Sequence, residues 1–454
     1  MRTRRGLVAL LLVACVPSGA PTTQPTVVAT TAPTTTAPVV VEVEPASCSA
    51  PPVTFGLLCQ VVELIDERHY QPPPHTALAA GAAAGVSVFT TEEDEEVPAT
   101  VTCAIPSEDF VSLCDLVETR LREDPVPIAP MIETAVEHML AQALDPYTTY
   151  VRPELSGSLS ENGVIAGAGI VVAARNSVGS PCVLISGTCP LVIDLVIEGG
   201  AGEEAGLEAG DRILTVSGIP VDGRGVSEVA GDLAGGSGET TEVEVSRDGV
   251  EVSLLLTHTD EEVVPVITQV VGDTGYLRLP EFGFDTHLFV HFTLQGLIEG
   301  GIDRLILDLR DNPGGFLFSV SIIGSEFFSD GLLYRTFSPL EEREYPAVEG
   351  GIATRIPVTV LVNELSASSA EILASVLQER NRATIVGTPT FGKNLVQETA
   401  ELRNGGLLRL TTATWTTPAG ASVAPDGLQP DITLEWPQDL DIPGLVELVN
   451  RATN

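Results

Sequence analysis

Three unbroken apolar runs, RLILDLR (304–310), PVTVLVN (357–363) and RATIVG (382–387), constrain this chain more than any other feature. Each reads as a buried strand. DNPGG and the helical FLFSVSIIGSEFF follow the first; ELSAS and the helical SAEILASVLQERN follow the second. Strand–turn–helix units repeated in this way predict a mostly parallel sheet. In open α/β sheets functional groups gather beyond the carboxyl ends of the strands. Both DNPGG and ELSAS occupy such ends. The later segment ELRNGGLLRLTTATWTTPAG reads as a hairpin turned at Asn404-Gly405.

The chain has 454 residues, room for two or three domains. Residues 47–155 read as helical, with apolar positions three and four apart in FGLLCQVVELI and MIETAVEHMLAQAL, the latter stopping at LDPYTTYV. Residues 160–258 read as short strands with Gly turns. Their order is strand, Gly-Gly turn, short helix EEAG, turn AGD, strand RILTVSG. With the phrase AGLEAGDRILTVSG (205–218), this resembles a PDZ domain of the bacterial-protease type. The resemblance implies that Gly167, Ala168, Gly169 and Ile170 form a loop whose backbone amides receive a peptide's C-terminal carboxylate. A small β domain that binds nothing is the alternative. The expected fold is α+β and multidomain: a helical region, a PDZ-like β domain, an α/β core over 260–436, and a tail over 437–454.

Arg2, Arg4 and Arg5 precede GLVALLLVA and Cys15, an apolar stretch too short for a stable membrane span. LVAC (12–15) resembles a bacterial lipobox, so residues 1–15 are expected to be a lipoprotein-type signal peptide with Cys15 lipidated. A secretory signal cut after Ala20 is the alternative, disfavoured by Pro21. Residues 16–46 are rich in Pro and Thr and read as an extended tether. The expected place is the cell envelope, anchored on the outer face of the cytoplasmic membrane. Six cysteines remain, in three local pairs. CSAPPVTFGLLC and CAIPSEDFVSLC share one pattern, each leading into a helical segment. Disulfides Cys48–Cys59, Cys103–Cys114 and Cys182–Cys189 are expected in an exported chain. The spacing does not fit a zinc site. No metal-ligand cluster or nucleotide loop appears, so no cofactor is expected. The net charge of −39 argues against nucleic-acid partners.

ELSASSAEIL (364–373) places three serines at a strand-to-helix turn. Ser368-x-x-Glu371 fits a capping box, so Ser368 reads equally as a helix cap or as a nucleophile. A nucleophilic hydroxyl needs a base. None of the six histidines falls in the α/β core near a strand end with an obvious serine partner, and no Lys stands at Ser-x-x-Lys spacing. Of 23 basic residues only Lys393 is a lysine. Arg is a permanent cation, whereas a desolvated Lys can lose its proton and act as a base. One helix and one parallel strand separate Lys393 from Ser368, a path that returns to the same sheet edge.

NELSASSAEILASVLQERNRATIVGTPTFGKNLVQ (363–397) resembles the catalytic region of the carboxyl-terminal processing peptidases, also called tail-specific serine proteases. DLRDNPGG (308–315), LDPYTTY (144–150) and GLQPDI (427–432) match further motifs of that family, in its order. The resemblance implies a serine endopeptidase with Ser368 and Lys393 as its catalytic pair and Gln397 as their support. Lys393 must then be neutral, desolvated and without a carboxylate partner, and Gln397 orients its amine. The Ser369 amide and one from Gly314 or Gly315 are the candidate oxyanion donors. The implied substrates are proteins or peptides with free apolar C-termini. The rival readings are a catalytically inactive PDZ scaffold that binds peptides at the cell surface, and a hydrolase of cell-wall peptides.

Overall fold

The computed structural model describes residues 40–44, 48, 53–89, 100–123, 126–153, 165, 167–174, 185–196, 200–259, 266–437 and 440–453. The expected signal segment with Cys15, most of the tether, and Cys182 lie outside the described residues.

The N-terminal region runs β1 (Val40–Glu44), α1 (Val53–Arg68), α2 (His75–Val88), β2 (Thr100–Ala104), α3 (Val111–Glu123), α4 (Ile128–Ala143) and β3 (Thr149–Val151). The tether read over 16–46 therefore ends early: VVEVE forms β1, parallel to β2. Its three valines suit a strand. Gly81 and Gly85 let α2 lie directly on α4, since a Cβ on Gly85 would stand 2.6 Å from the Ala135 Cα. The helices share one core with Leu402, Leu408 and Leu410 of the distant hairpin.

Disulfides Cys48–Cys59 and Cys103–Cys114 are formed, with Cα–Cα separations of 5.4 and 5.9 Å. Cys189 is also disulfide-bonded. Closing a loop of this length stabilises the fold by about 3 kcal/mol in the chain-entropy account. Cys103→Ser with Cys114→Ser is therefore expected to lower the thermal midpoint clearly. A midpoint unchanged from wild type under non-reducing conditions would contradict this.

The second region runs β4 (Ile170–Ala174), β5 (Leu191–Val196), α5 (Ala201–Glu204), β6 (Arg212–Val216), β7 (Ile219–Pro220), α6 (Val226–Leu233), β8 (Thr240–Arg247) and β9 (Val250–Thr257). Its sheet order is β4-β5-β6-β8-β9, with β7 paired to β6. A separate core from Ile165 to Leu256 fills it. This is the strand, short helix, strand order that the sequence predicts.

The core region runs β10 (Ile267–Val271), β11 (Thr274–Arg278), α7 (Thr286–Glu299), β12 (Arg304–Asp308), α8 (Leu317–Ser325), β13 (Leu332–Phe337), β14 (Glu342–Pro346), β15 (Val358–Val362), α9 (Ser369–Glu379), β16 (Ala383–Gly387), β17 (Leu395–Glu401), β18 (Leu407–Thr416), β19 (Ile432–Thr433) and α10 (Ile442–Thr453). The main sheet has the order β10-β11-β12-β15-β16-β19. It is parallel except for the β10–β11 pair. Alternation along each strand supplies both faces. Leu305, Leu307, Val358, Val360 and Ile385 enter the larger core. Ile306, Leu361 and Val386 face the other way and meet Leu445, Val446 and Val449 of α10. The segment read as a tail is thus the helix that covers the sheet's second face. The hairpin turned at Asn404-Gly405 forms as expected, but in a second, antiparallel sheet of order β14-β13-β18-β17, with β3 added on β18.

Candidate active site

The carboxyl ends of β12 and β15 are stitched together by their loops. Asp308 is buried and accepts from Tyr276 Oη at 2.7 Å and Arg310 Nη2 at 2.6 Å. The Arg310 guanidinium lies 4.6 Å from the Trp436 ring centre. Asn363 Nδ2 donates to Asp311 at 2.7 Å, and the Ala367 N–H donates to the Asn312 carbonyl at 2.9 Å. Two of the three serines in ELSAS-S belong to this stitching. Ser366 Oγ donates to the Leu309 carbonyl at 2.7 Å, and Ser369 Oγ to the Gly315 carbonyl at 2.9 Å. Both are buried, whereas Ser368 keeps partial exposure.

Ser368 sits at a sharp elbow between β15 and α9 with φ 53° and ψ −116°. A non-glycine residue held there is strained by about 1–3 kcal/mol, which the surrounding structure must impose. It also forms the capping box with Glu371, as the helix-cap reading expects. The Glu371 carboxylate does more than cap. Its Oε2 accepts from the Ser368 and Lys393 amides, both at 2.9 Å, and its Oε1 from Thr390 Oγ1 at 2.5 Å and the Gly392 amide at 2.7 Å. Burial holds its pKa above the usual carboxylate value, against the pull of these four donors.

Lys393 is thus fixed through its backbone: its N–H meets Glu371, and its carbonyl accepts from Trp415 Nε1 at 3.0 Å. Its side chain reaches inward, placing Nζ 4.5 Å from the Tyr147 ring centre. The residue is half-buried as a whole. Desolvation of the amino group, helped by the Arg409 charge, pushes its pKa down to about 7, while Asp145 and Glu371 pull weakly upward. Among the described residues Nζ holds no ion pair or hydrogen bond, and none links it to Ser368 Oγ, although both line one cleft.

Gln397 also lines that cleft. A register shift between Val396 and Gln397 on β17 re-aims it. Its amide donates not to Lys393 but to Thr411 Oγ1 at 3.2 Å, which donates to Asp145 at 2.8 Å. Asp145 further accepts from Thr148 Oγ1, the Tyr147 amide and His69 Nε2, at 2.9 to 3.0 Å. His69 Nδ1 accepts from the Gln71 amide, which leaves the proton on Nε2. Against the upward push of burial, these donors hold the Asp145 carboxyl below its usual pKa. This chain of polar groups joins LDPYTTY, the residue just after α1 and β17–β18, and sequence reasoning missed Asp145, Tyr147, His69, Thr411 and Arg409 as candidate site residues. The LDPYTTY motif was the one available signal.

Of the amides proposed for anion binding, Gly314's is engaged: it donates to Asn312 Oδ1 at 2.8 Å. The Gly315 amide enters no backbone hydrogen bond among the described residues. The Ser369 amide is the first of α9, where donors lack helical acceptors. A Cβ on Gly314 would stand 2.8 Å from the Ser368 Cβ and 2.9 Å from the Ser369 nitrogen, so only Gly lets this turn approach the elbow. In the second region, Gly167 and Gly169 have φ of 72° and 63°, and Ala168 and Ile170 are buried. The Ala168 amide donates to the Ile165 carbonyl at 3.1 Å, while the Gly169 amide makes no backbone hydrogen bond among the described residues.

The peptidase family S41 model matches residues 273–434, and a PDZ domain model matches 192–247. The carboxyl-terminal-processing protease of Synechocystis sp. is 33% identical over 313 residues, covering 67% of this chain and 71% of that one. The carboxy-terminal-processing protease of Bartonella bacilliformis is 33% identical over 318 residues, covering 68% and 70%. The solved structure of a photosystem II D1 C-terminal processing protease superposes with a TM-score of 0.63 at 25% identity, covering 87% of this chain and 97% of that one. The strand-end elbow, the PDZ domain and these likenesses agree: the chain belongs to peptidase family S41, among the carboxyl-terminal-processing proteases, and is a serine-type peptidase.

Proposed function

We propose that Ser368 is the nucleophile and Lys393 its general base, in an exported peptidase that captures protein C-termini through its PDZ domain. The observation that carries this is a strained serine elbow and a desolvated lysine opening onto one cleft of about 1500 Å³. Neutral Lys393 takes the Ser368 proton as Oγ attacks the scissile carbonyl. The Gly315 and Ser369 amides receive the developing oxyanion. Protonated Lys393 gives its proton to the leaving amine. It then activates the water that hydrolyses the acyl-enzyme. The Ser368–Lys393 hydrogen bond forms when substrate fills the cleft, as catalytic contacts commonly tighten on binding. Gln397 acts through Thr411 and Asp145, holding the β17–β18 wall against LDPYTTY. Cleavage of an unstructured peptide with an apolar free C-terminus by the wild type, and not by Ser368→Ala, tests the assignment. Equal cleavage by both would refute it. The presence of Ser368, Lys393 and Gln397 together disfavours the inactive-scaffold reading.

The basic and apolar N-terminus ending in LVAC supports export and lipid anchoring at Cys15, outside the cytoplasmic membrane. The loop Gly167–Ile170, with its left-handed glycines and the Gly169 amide, would hold the substrate carboxylate, and its occupancy would gate the protease cleft. Deleting residues 160–258 is then expected to abolish discrimination between free and amidated C-termini, measured as the ratio of kcat/KM values. A ratio that survives the deletion would place recognition elsewhere.

A further inference from the structure

The chain has 13 phenylalanines. All those that are largely exposed among the described residues lie on α7, on the loop before it, or at the start of α8: Phe284 at 65%, Phe289 at 48%, Phe292 at 67% and Phe318 at 38%. Such a concentration is costly in water and marks a surface that something covers. Three rings of this region form a set. Phe284 stands edge-on to Phe316 at 6.2 Å and to Phe318 at 5.3 Å, and Phe316 and Phe318 lie 5.3 Å apart, centre to centre. Their mutual contacts fix the rings while leaving Phe284 and Phe318 open to solvent.

Position identifies the occupant. Phe316 follows Gly315 directly, and its amide donates to the Phe282 carbonyl at 2.8 Å, so the first ring is tied to the turn beside Ser368. Phe316, Phe318 and Ser368 line the same cleft. Rigid aromatic walls next to a few placed polar groups are the usual make-up of a binding pocket.

We propose that Phe284, Phe316 and Phe318 form a specificity subsite for one aromatic or long aliphatic side chain of the substrate, close to the bond that is cut. This rests on the reading of Ser368 as nucleophile, and it adds to C-terminal capture a second recognition point within the protease region. The side chain packs against the three rings, and its neighbouring carbonyl then lies by the Gly315 amide.

The test uses amidated peptides, which remove the carboxylate contribution of the PDZ domain, differing at single scanned positions between Phe and Ala. Binding is measured to the Ser368→Ala protein and cleavage with Ser368 intact, each with and without Phe284→Ala plus Phe318→Ala. At one position Phe is expected to be preferred about tenfold or more over Ala, the scale on which apolar pockets discriminate. The double substitution is expected to bring that ratio close to one, and Phe292→Ala, whose ring meets His291 instead, to leave it unchanged. A ratio that survives the double substitution overturns the proposal. A binding ratio that collapses in the double variant supports the subsite whether or not the amidated peptides are cut, and the proteolytic reading of Ser368 is rejected separately if a peptide with a free apolar C-terminus is not cut either. Self-association lost on double substitution, with the peptide ratio intact, would assign the rings to a second copy of the chain and overturn the subsite.

Discussion

Lys393→Arg is expected to lower kcat/KM for peptide hydrolysis by about a thousandfold while leaving the fold in place, the middle of the range for a lost general base. Arg keeps the length and charge but cannot surrender its proton near neutral pH. In the wild type, kcat/KM should rise with pH through about 7, as burial of the amino group lets Lys393 become neutral there. Two neighbours tune that limb in opposite directions. Arg409→Met removes a positive charge that helps depress the lysine pKa, so the limb moves to higher pH. Asp145→Asn removes a carboxylate that favours the ammonium form, so the limb moves to lower pH. pH–rate profiles of the two variants decide this; shifts of the same sign would show that Lys393 does not govern the limb. The same depression has a stability consequence. The unfolded chain holds the lysine proton up to about pH 10, and the folded chain releases it near 7. The unfolded state therefore binds more protons between those values, and stability rises with pH across that window. Lys393→Met should remove that part of the slope in denaturant titrations.

Glu371→Gln is expected to cost about 3 kcal/mol or more of stability and to abolish most of the activity. Each oxygen of Glu371 faces two donors: Oε1 meets Thr390 Oγ1 and the Gly392 amide, and Oε2 meets the Ser368 and Lys393 amides. Either orientation of a glutamine amide would turn an NH₂ group onto donors. That leaves buried hydrogen-bonding groups unmatched, at about 1–3 kcal/mol each. The Ser368 elbow and the Lys393 loop are held by the same carboxylate, so activity should fall further than the loss of folded protein explains. Guanidinium titration gives the stability, and single-turnover cleavage at matched folded fraction gives the activity. A Gln variant with wild-type rate and midpoint would show that the four donors find other acceptors.

The parallel sheet was legible because its signal is local. LILDL, VTVLV and ATIVG are each short enough to read as a strand within one window, and Gly-rich or Ser-rich turns follow where chains must reverse. Ser368 and Lys393 drew notice for a similar reason, one from its strand-to-helix turn and the other from being the only lysine, while their pairing came from the family resemblance. The support around them was not legible. His69, Asp145, Thr411 and Gln397 form one connected chain, yet 76 residues separate the first two and 266 separate Asp145 from Thr411. Hydrogen-bond matching at that range leaves no periodic trace. The expected contact from Gln397 to the lysine amine likewise ignored the shift in the β17–β18 register, which turns the amide to Thr411. The tail at 437–454 was read without its role because VELV in α10 looks like any amphipathic turn until a sheet face needs covering.

By itself the sequence determined the order of regions, the strand-end turns and the candidate serine and lone lysine, because propensity, turn chemistry and residue identity are properties of short stretches. Only the tertiary structure decided which serine of three is open to the cleft, which glycine amide is already spent on Asn312, and what lowers the lysine pKa. Those outcomes depend on what distant segments bring to the same few ångströms: Tyr147 and Asp145 from the helical region, Arg409 from the hairpin and Glu371 from α9. Desolvation and hydrogen-bond competition are set by that shared space.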